Sequence, residues 1–160
     1  PSKFTNRSLE QKLKLFTQLC EAVHHGHRHG LVHGSLTSSN VVYVECDDSV
    51  VIRVSDWGVA SRSLGPSTTE LADPDWLRGT ESRTQTTDIG QIGTLAYKLF
   101  TGETAPKDSQ PRNDPDYDGM SVPDAAISVL TSSFTTSESE QFETALHLRD
   151  AVYRQFNMKS

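Results

Sequence analysis

Two residues with side-chain oxygen donors, Asn40 and Asp56, flank a short hydrophobic stretch and could together bind a hard cation. An amide oxygen and a carboxylate are ligands that Mg²⁺ accepts, commonly with water and phosphate oxygens completing its coordination. If the stretch between them brings the two residues side by side, the pair predicts a site for Mg²⁺ with phosphates attached. Phosphate chemistry is therefore the first chemistry to consider.

The stretch between these two residues has the composition of a β-hairpin. Residues 41–44 and 50–54 are mostly β-branched or aromatic, which is typical of strands. The polar residues 46–49 lie between them and predict a turn. Because a hairpin places the loop before its first strand beside the loop after its second, Asn40 and Asp56 are expected to face a common point.

The two loops resemble the catalytic loop and the metal-binding loop of protein kinases. The kinase motifs are H-R-D-L-x-x-x-N and D-F-G, and His33, Leu36 and Asn40 match the first at the same spacing. The run Asp56-Trp57-Gly58 matches the second, with Trp in the usual place of Phe. The resemblance implies a vestigial site for Mg-ATP in which Asn40 and Asp56 hold the metal and Val42 lines the nucleotide pocket. It also implies that four residues have structural roles: His33, Trp57, Gly58 and Asp88.

Three departures within the first motif remove groups that kinases use for catalysis. Ser35 occupies the position of the catalytic Asp, which orients the substrate hydroxyl and accepts its proton. Gly34 occupies the position of an Arg that anchors a phosphorylated activation loop, and Thr37 that of a Lys that stabilises the transferring phosphoryl group. General acid–base catalysis is worth about 10²–10⁴-fold. We therefore expect no catalytic residue at Gly34, Ser35 or Thr37.

The elements around these loops are predicted to be mainly helical. Ser8 and Gln11 have the spacing of a capping box, and apolar residues recur at helical intervals in four stretches. The predicted helices run from Leu9 to about Gly26, from Thr87 to Gly102, from Pro123 through Phe134, and around Ala145–Phe156. The predicted fold is mainly α with a small β-hairpin, like the large C-terminal lobe of a kinase.

The resemblance extends over nearly the whole chain and divides it into named segments. One domain over residues 1–160 is expected, made of a leader at 1–7, the catalytic-loop equivalent at 33–40, the activation-segment equivalent at 56–75 and a loop at 103–121. The small N-terminal lobe is expected to be absent, because the sequence shows no G-x-G-x-x-G loop and no V-A-I-K strand. No cofactor is expected unless another chain segment supplies that lobe, in which case Mg-ATP could bind.

Two further positions follow from the resemblance. Asp88 matches the Asp that accepts hydrogen bonds from the catalytic-loop backbone, although an Asp near a helix start can also be an N-cap. The run Asp73-Pro74-Asp75 resembles the A-P-E motif that closes the activation segment. The Arg that usually pairs with its acid is replaced by Gln141, so that ion pair is expected to be missing.

A run of histidines before the catalytic loop has two interpretations. His is a common metal ligand, but the intervals here do not match tetrahedral zinc motifs. The alternative assigns two of the histidines to positions where kinases often carry them and leaves the others in solvent. The five histidines are His24, His25, His27, His29 and His33.

The amino-acid composition limits the classes of binding partner and the cellular location that we expect. The net charge is −6 and the hydrophobic content is 34%, so a basic surface for nucleic acid is not indicated. The acidity suits either a salt-rich cytoplasm or an ordinary acidic protein. Two cysteines do not suggest a disulfide framework. No apolar run reaches membrane-spanning length and no signal peptide is apparent, so a cytoplasmic location is expected.

Three functions are consistent with these patterns. The first is a pseudokinase, a scaffold or regulatory module that binds a protein through the surface where the small lobe would pack. The second is a fragment of an active or atypical Ser/Thr kinase that binds Mg-ATP through Asn40 and Asp56. The third is a domain that associates with itself through that same surface, where Val42 and Trp57 are the expected exposed residues unless Trp57 folds back onto its own lobe.

Overall fold

The computed structural model describes residues 7–46, 49–57, 84–106, 122–135 and 142–157, and within them it contains four helices and one antiparallel pair of strands. In chain order they are α1 (Leu9–Arg28), β1 (Val41–Cys46), β2 (Ser49–Val54), α2 (Gln85–Thr101), α3 (Asp124–Thr135) and α4 (Ala145–Asn157). This is the mainly helical fold with a small hairpin that the sequence predicts.

Helix α1 begins as predicted and ends later than predicted. The Ser8 hydroxyl accepts a hydrogen bond from the Gln11 backbone N–H, and the Gln11 side chain accepts one from the Ser8 N–H. The helix continues past Gly26 to Arg28, because the residue that terminates it is Gly30 at φ 74°. The N–H groups of Gly30 and Leu31 donate to His27 and Gly26 carbonyls, which is the Schellman pattern.

Helix α2 begins two residues before the predicted start. Its N-cap is Thr84, which forms a capping box with Thr87, so the alternative assignment of Asp88 as N-cap is wrong. The helix ends at the predicted Gly102, whose φ of 76° allows its N–H to reach the Lys98 carbonyl.

The hairpin packs one face on the helices. Val41 pairs with Val54 and Tyr43 with Ile52 in the antiparallel register. The strand edge of β2 is held by Gln18 of α1, whose amide donates to the Val50 carbonyl and accepts from the Ile52 N–H, both at 2.8 Å. One side chain thus replaces a missing strand neighbour and fixes the hairpin to α1.

A single large apolar cluster joins all four helices to the hairpin. Its largest fully buried side chains come from every helix: Phe16, Ile89, Ile92, Phe100, Leu130, Leu148 and Val152. Helix α2 is buried on most of its surface. Gly93 permits α3 to approach it closely, because a Cβ at that position would overlap Ser133.

Candidate functional site

Asp88 organises the loop between α1 and β1. Its carboxylate is fully buried on α2 and accepts hydrogen bonds from the backbone N–H of His33 at 2.8 Å and of Gly34 at 2.6 Å. The His27 ring donates a third hydrogen bond through Nε2 at 2.7 Å. This is the contact with the catalytic-loop backbone that the kinase resemblance implies.

Gln91 extends this support by one turn of α2. It is buried, and its side-chain oxygen accepts from the Leu36 N–H at 2.7 Å. Because residues three apart share a helix face, Asp88 and Gln91 form a row of acceptors under three backbone N–H groups. Sequence reasoning missed Gln91, although a polar residue inside an otherwise apolar helix was a signal that could have identified it.

The fully buried His33 ring links the two loops. Its Nε2 lies 2.8 Å from the Ser55 carbonyl, and its Nδ1 accepts from the Ser35 N–H at 3.3 Å. A carbonyl can only accept, so the proton sits on Nε2 and the neutral tautomer satisfies both contacts. The side chain at the first position of the motif is therefore structural in this geometry.

The two loops lie side by side, as the hairpin predicted. The Ser55 N–H donates to the Asn40 carbonyl at 2.9 Å, one step beyond the Val41 and Val54 pair. Asp56 follows with φ 62°, a left-handed conformation uncommon for a residue other than Gly. It is exposed, and its carboxylate accepts from the Ser55 hydroxyl at 3.0 Å.

The side chain of Asn40 turns into its own loop. Its Oδ1 accepts from both the backbone N–H and the hydroxyl of Thr37, at 2.7 and 2.9 Å. A carbonyl oxygen has two lone pairs, and both are occupied here. The donor set expected for a hard cation therefore does not fit in this conformation: the exposed carboxylate of Asp56 is one half of the pair, while the amide oxygen of Asn40 is already used.

Ser35, which the resemblance aligns with the proton-accepting Asp of kinases, is half-buried. Its backbone N–H is directed at His33. A hydroxyl is a far weaker base than a carboxylate near neutral pH, so the Ser35 hydroxyl is a poor proton acceptor on its own.

Trp57 folds back onto its own lobe, the second of the two orientations considered. Its indole N–H donates to the Val54 carbonyl at 3.1 Å, and its ring lies 5.1 Å from that of His33. The ring rests directly on Gly26 of α1, where any Cβ would overlap it. Trp57 is partly buried against the main core, so its role as an interface residue stays a prediction.

The outer face of the hairpin is apolar and exposed. Val42, Val44 and Val51 are 47%, 38% and 42% exposed. Val44 and Val51 face each other across the strands. We call these three residues the outer hairpin face. Val42 is thus exposed as expected, and it belongs to a wider apolar surface than the sequence reading named.

The histidines divide between the core and the surface. His27 and His33 are buried in the network around Asp88, whereas His25 and His29 are exposed. Among the residues that the structure describes, no group of three or more His, Cys, Asp or Glu side chains is arranged to hold a metal. The described helices also include none that is both long and apolar enough to cross a membrane.

Some predicted positions lie outside the described residues. These are Gly58, Asp73-Pro74-Asp75 and Gln141, together with most of the leader and of the loop at 103–121.

Comparison with known proteins places these features in context. A family model described as protein kinase domain matches residues 3–150. The chain is 26% identical over 103 residues to a probable serine/threonine-protein kinase PknB of Lactococcus lactis, covering 59% of this chain and 16% of that protein. It is 31% identical over 98 residues to serine/threonine-protein kinase 1 of Orgyia pseudotsugata multicapsid polyhedrosis virus, covering 59% of this chain and 35% of that protein.

The fold itself is similar to that of a solved kinase domain. The PknI kinase domain of Mycobacterium tuberculosis superimposes with a TM-score of 0.64 at 21% identity, over 93% of this chain and 56% of that domain. The chain thus spans little more than half of that kinase domain.

Proposed function

The chain belongs to the protein kinase domain family, and from that premise we propose that it is a catalytically inactive, kinase-like module that binds a protein partner. The observation that carries the proposal is Ser35, a hydroxyl at the position where the family's proton acceptor would stand. Gly34 and Thr37 support it, since each lacks the positive charge that the family usually carries there.

The retained framework supports a binding role rather than loss of structure. Asp88, Gln91 and His33 still hold the catalytic loop through hydrogen bonds of 2.6–2.8 Å. A loop that is kept in shape without its acid–base group is suited to presenting a surface. In this proposal the chain corresponds to the large lobe, and the outer hairpin face, defined above as Val42, Val44 and Val51, contacts the partner.

A phosphorylation assay tests the proposal. The purified chain is incubated with Mg²⁺, labelled ATP and a generic Ser/Thr substrate protein, beside Ser35→Asp and Ser35→Ala variants. We expect no metal-dependent transfer by the wild type or by Ser35→Ala. Robust transfer by the wild type that is abolished in Asp56→Ala would overturn the proposal.

An alternative function is supported by the same framework. The chain would be the large-lobe part of an active or atypical kinase, with Asp56 contributing to Mg-ATP binding. The exposed carboxylate of Asp56, adjacent to the Asn40 carbonyl through Ser55, favours it. Calorimetric titration with Mg-ATP distinguishes the two, since the main proposal expects no binding by this chain alone. We also propose a cytoplasmic location.

A further inference from the structure

In the turn from Thr37 to Asn40, the Thr37 hydroxyl uses its one donor and both of its acceptor sites in hydrogen bonds. The hydroxyl donates its single proton to Asn40 Oδ1 at 2.9 Å, since an amide oxygen can only accept. It lies 2.6 Å from the Ser39 hydroxyl, which must therefore be the donor in that pair. It also accepts from the Ser39 N–H at 3.3 Å.

The same turn uses the Asn40 oxygen completely. The second lone pair of Oδ1 accepts from the Thr37 backbone N–H at 2.7 Å. A further hydrogen bond from the Asn40 N–H to the Thr37 carbonyl, at 3.2 Å, closes the turn on the backbone side. For Oδ1 to coordinate a cation, at least one Thr37 donor would have to lose its partner, and an unpaired donor in a part-buried loop is costly.

We propose that Thr37 is a positioning residue that withholds the Asn40 oxygen from any hard cation at Asp56. The inference deepens the proposed function, on which it rests for the expectation that the metal site is vestigial. The inference adds a physical cause that the proposed function does not give. Asn40 is lost as the second metal ligand because its Oδ1 accepts a hydrogen bond from the Thr37 hydroxyl. A Lys in the same place could not supply this bond in the same way, because its amine lies at the end of a long flexible chain.

A titration with Mn²⁺ alone, without nucleotide, tests the assignment by electron paramagnetic resonance of the free ion. In the wild type we expect weak binding that Asp56→Ala removes and that Asn40→Ala leaves unchanged. Thr37→Val keeps the size and shape of the side chain but removes the hydroxyl, which releases one lone pair of Oδ1. We expect this variant to bind Mn²⁺ roughly fivefold more tightly, the equivalent of one net hydrogen bond.

The matched control is Ser38→Ala in the same turn, which is expected to leave Mn²⁺ affinity at the wild-type value. The gain in Thr37→Val should vanish in the double variant Thr37→Val/Asn40→Ala. The inference would be overturned if the wild type and Thr37→Val bound Mn²⁺ with equal affinity. It would also be overturned if the single variant Asn40→Ala bound Mn²⁺ more weakly than the wild type.

Amide hydrogen exchange gives a readout that needs no metal. The Thr37 N–H should be protected in the wild type and should exchange faster in Asn40→Ala, whereas unchanged exchange would contradict the turn. Neither measurement depends on phosphoryl transfer. A chain that binds Mn²⁺ through Asn40 yet transfers no phosphate would overturn this inference alone, and a chain that transfers phosphate with Asn40 uninvolved would overturn only the proposed function.

Discussion

The carboxylate of Asp88 accepts three hydrogen bonds, two from backbone N–H groups of the loop between α1 and β1 and one from the His27 ring of α1. Burial of a carboxylate is costly unless it is fully hydrogen-bonded. The three donors provide that compensation, and in return the carboxylate holds two consecutive backbone N–H groups in one orientation. The shape of the loop thus depends on a residue more than fifty positions later in the chain.

Asp88→Asn should destabilise the protein. The variant keeps one acceptor but directs an NH₂ group at the donors that faced the other oxygen, so we expect the free energy of unfolding to fall by about 1–3 kcal/mol. Chemical denaturation measures the loss, and amide exchange at Gly34 should accelerate. Asp124→Asn, an exposed change in the first turn of α3, is the control and should leave exchange at Gly34 unaltered. Wild-type exchange at Gly34 in Asp88→Asn would contradict the prediction.

His24 introduces a pH dependence. Its Nδ1 is buried without a hydrogen-bond partner in the described structure. Its pKa is lowered, first by burial and then by electrostatic interactions with Arg28, His27, Arg149 and His147. Because the unfolded chain then binds more protons than the folded one below a pH of about 6.5, stability contributed by neutral His24 is lost as the pH falls.

His24→Gln should therefore flatten the decrease in unfolding free energy between about pH 7 and pH 5. Denaturant titrations at several pH values measure the slope. His25→Gln, one position along the helix at an exposed site, should retain the wild-type slope. If the two variants give the same slope, His24 is not the group responsible.

At the scale of the elements, α1 packs against the loop after β2 through a contact between Gly26 and the ring of Trp57. The indole of Trp57 occupies the space that a Cβ at Gly26 would take, and its N–H is satisfied by the Val54 carbonyl. The Trp57 ring can approach α1 this closely only because Gly26 has no side chain. Gly26 thus suits this position inside α1, although Gly lowers helix propensity.

Gly26→Ala should displace Trp57. Overpacking costs about 1–3 kcal/mol, and the better helix propensity of Ala returns up to about 1 kcal/mol, so we expect net destabilisation. Fluorescence in a Trp76→Phe background, where Trp57 is the remaining Trp, should shift to the red as the ring becomes solvated. In a double-mutant cycle with Trp57→Phe the penalty should shrink. An unchanged emission maximum would contradict the contact.

The elements also show how far sequence reasoning reaches. The capping box at Ser8 and the β-branched hairpin were predictable, because their signals lie within a few residues of the structure that they specify. The end of α1 was not, since Gly26 and Gly30 are both plausible stops and the choice depends on packing against Trp57.

In the candidate site, too, some features could be predicted from the sequence and others could not. The juxtaposition of Asn40 and Asp56 followed from the hairpin alone, whereas the inward turn of Asn40 depends on a particular pairing with Thr37. Gln18 and Gln91 were missed because they bond to backbone far away in the chain. Such bonds leave no periodic pattern in the sequence.

At the scale of the whole molecule, the apolar residues are unevenly distributed. The helices enclose one main core, yet the outer hairpin face leaves three valines in solvent on one small sheet. Contiguous exposed apolar patches are a feature of interaction surfaces. The chain is also acidic, with a net charge of −6, so general repulsion opposes association and an apolar contact would have to overcome it.

If this surface mediates association between copies of the chain, replacing its valines by Thr should weaken it. Thr is similar in size to Val and suits a strand, so the triple variant Val42→Thr/Val44→Thr/Val51→Thr should keep the fold while losing apolar contact area. Light scattering over a concentration series should show the wild type exceeding the monomer mass at high concentration and the variant remaining close to it. Leu31→Thr, at an apolar residue 52% exposed outside the hairpin, should behave as the wild type. Equal masses for the wild type and the triple variant would show that the outer hairpin face does not mediate association between copies of the chain.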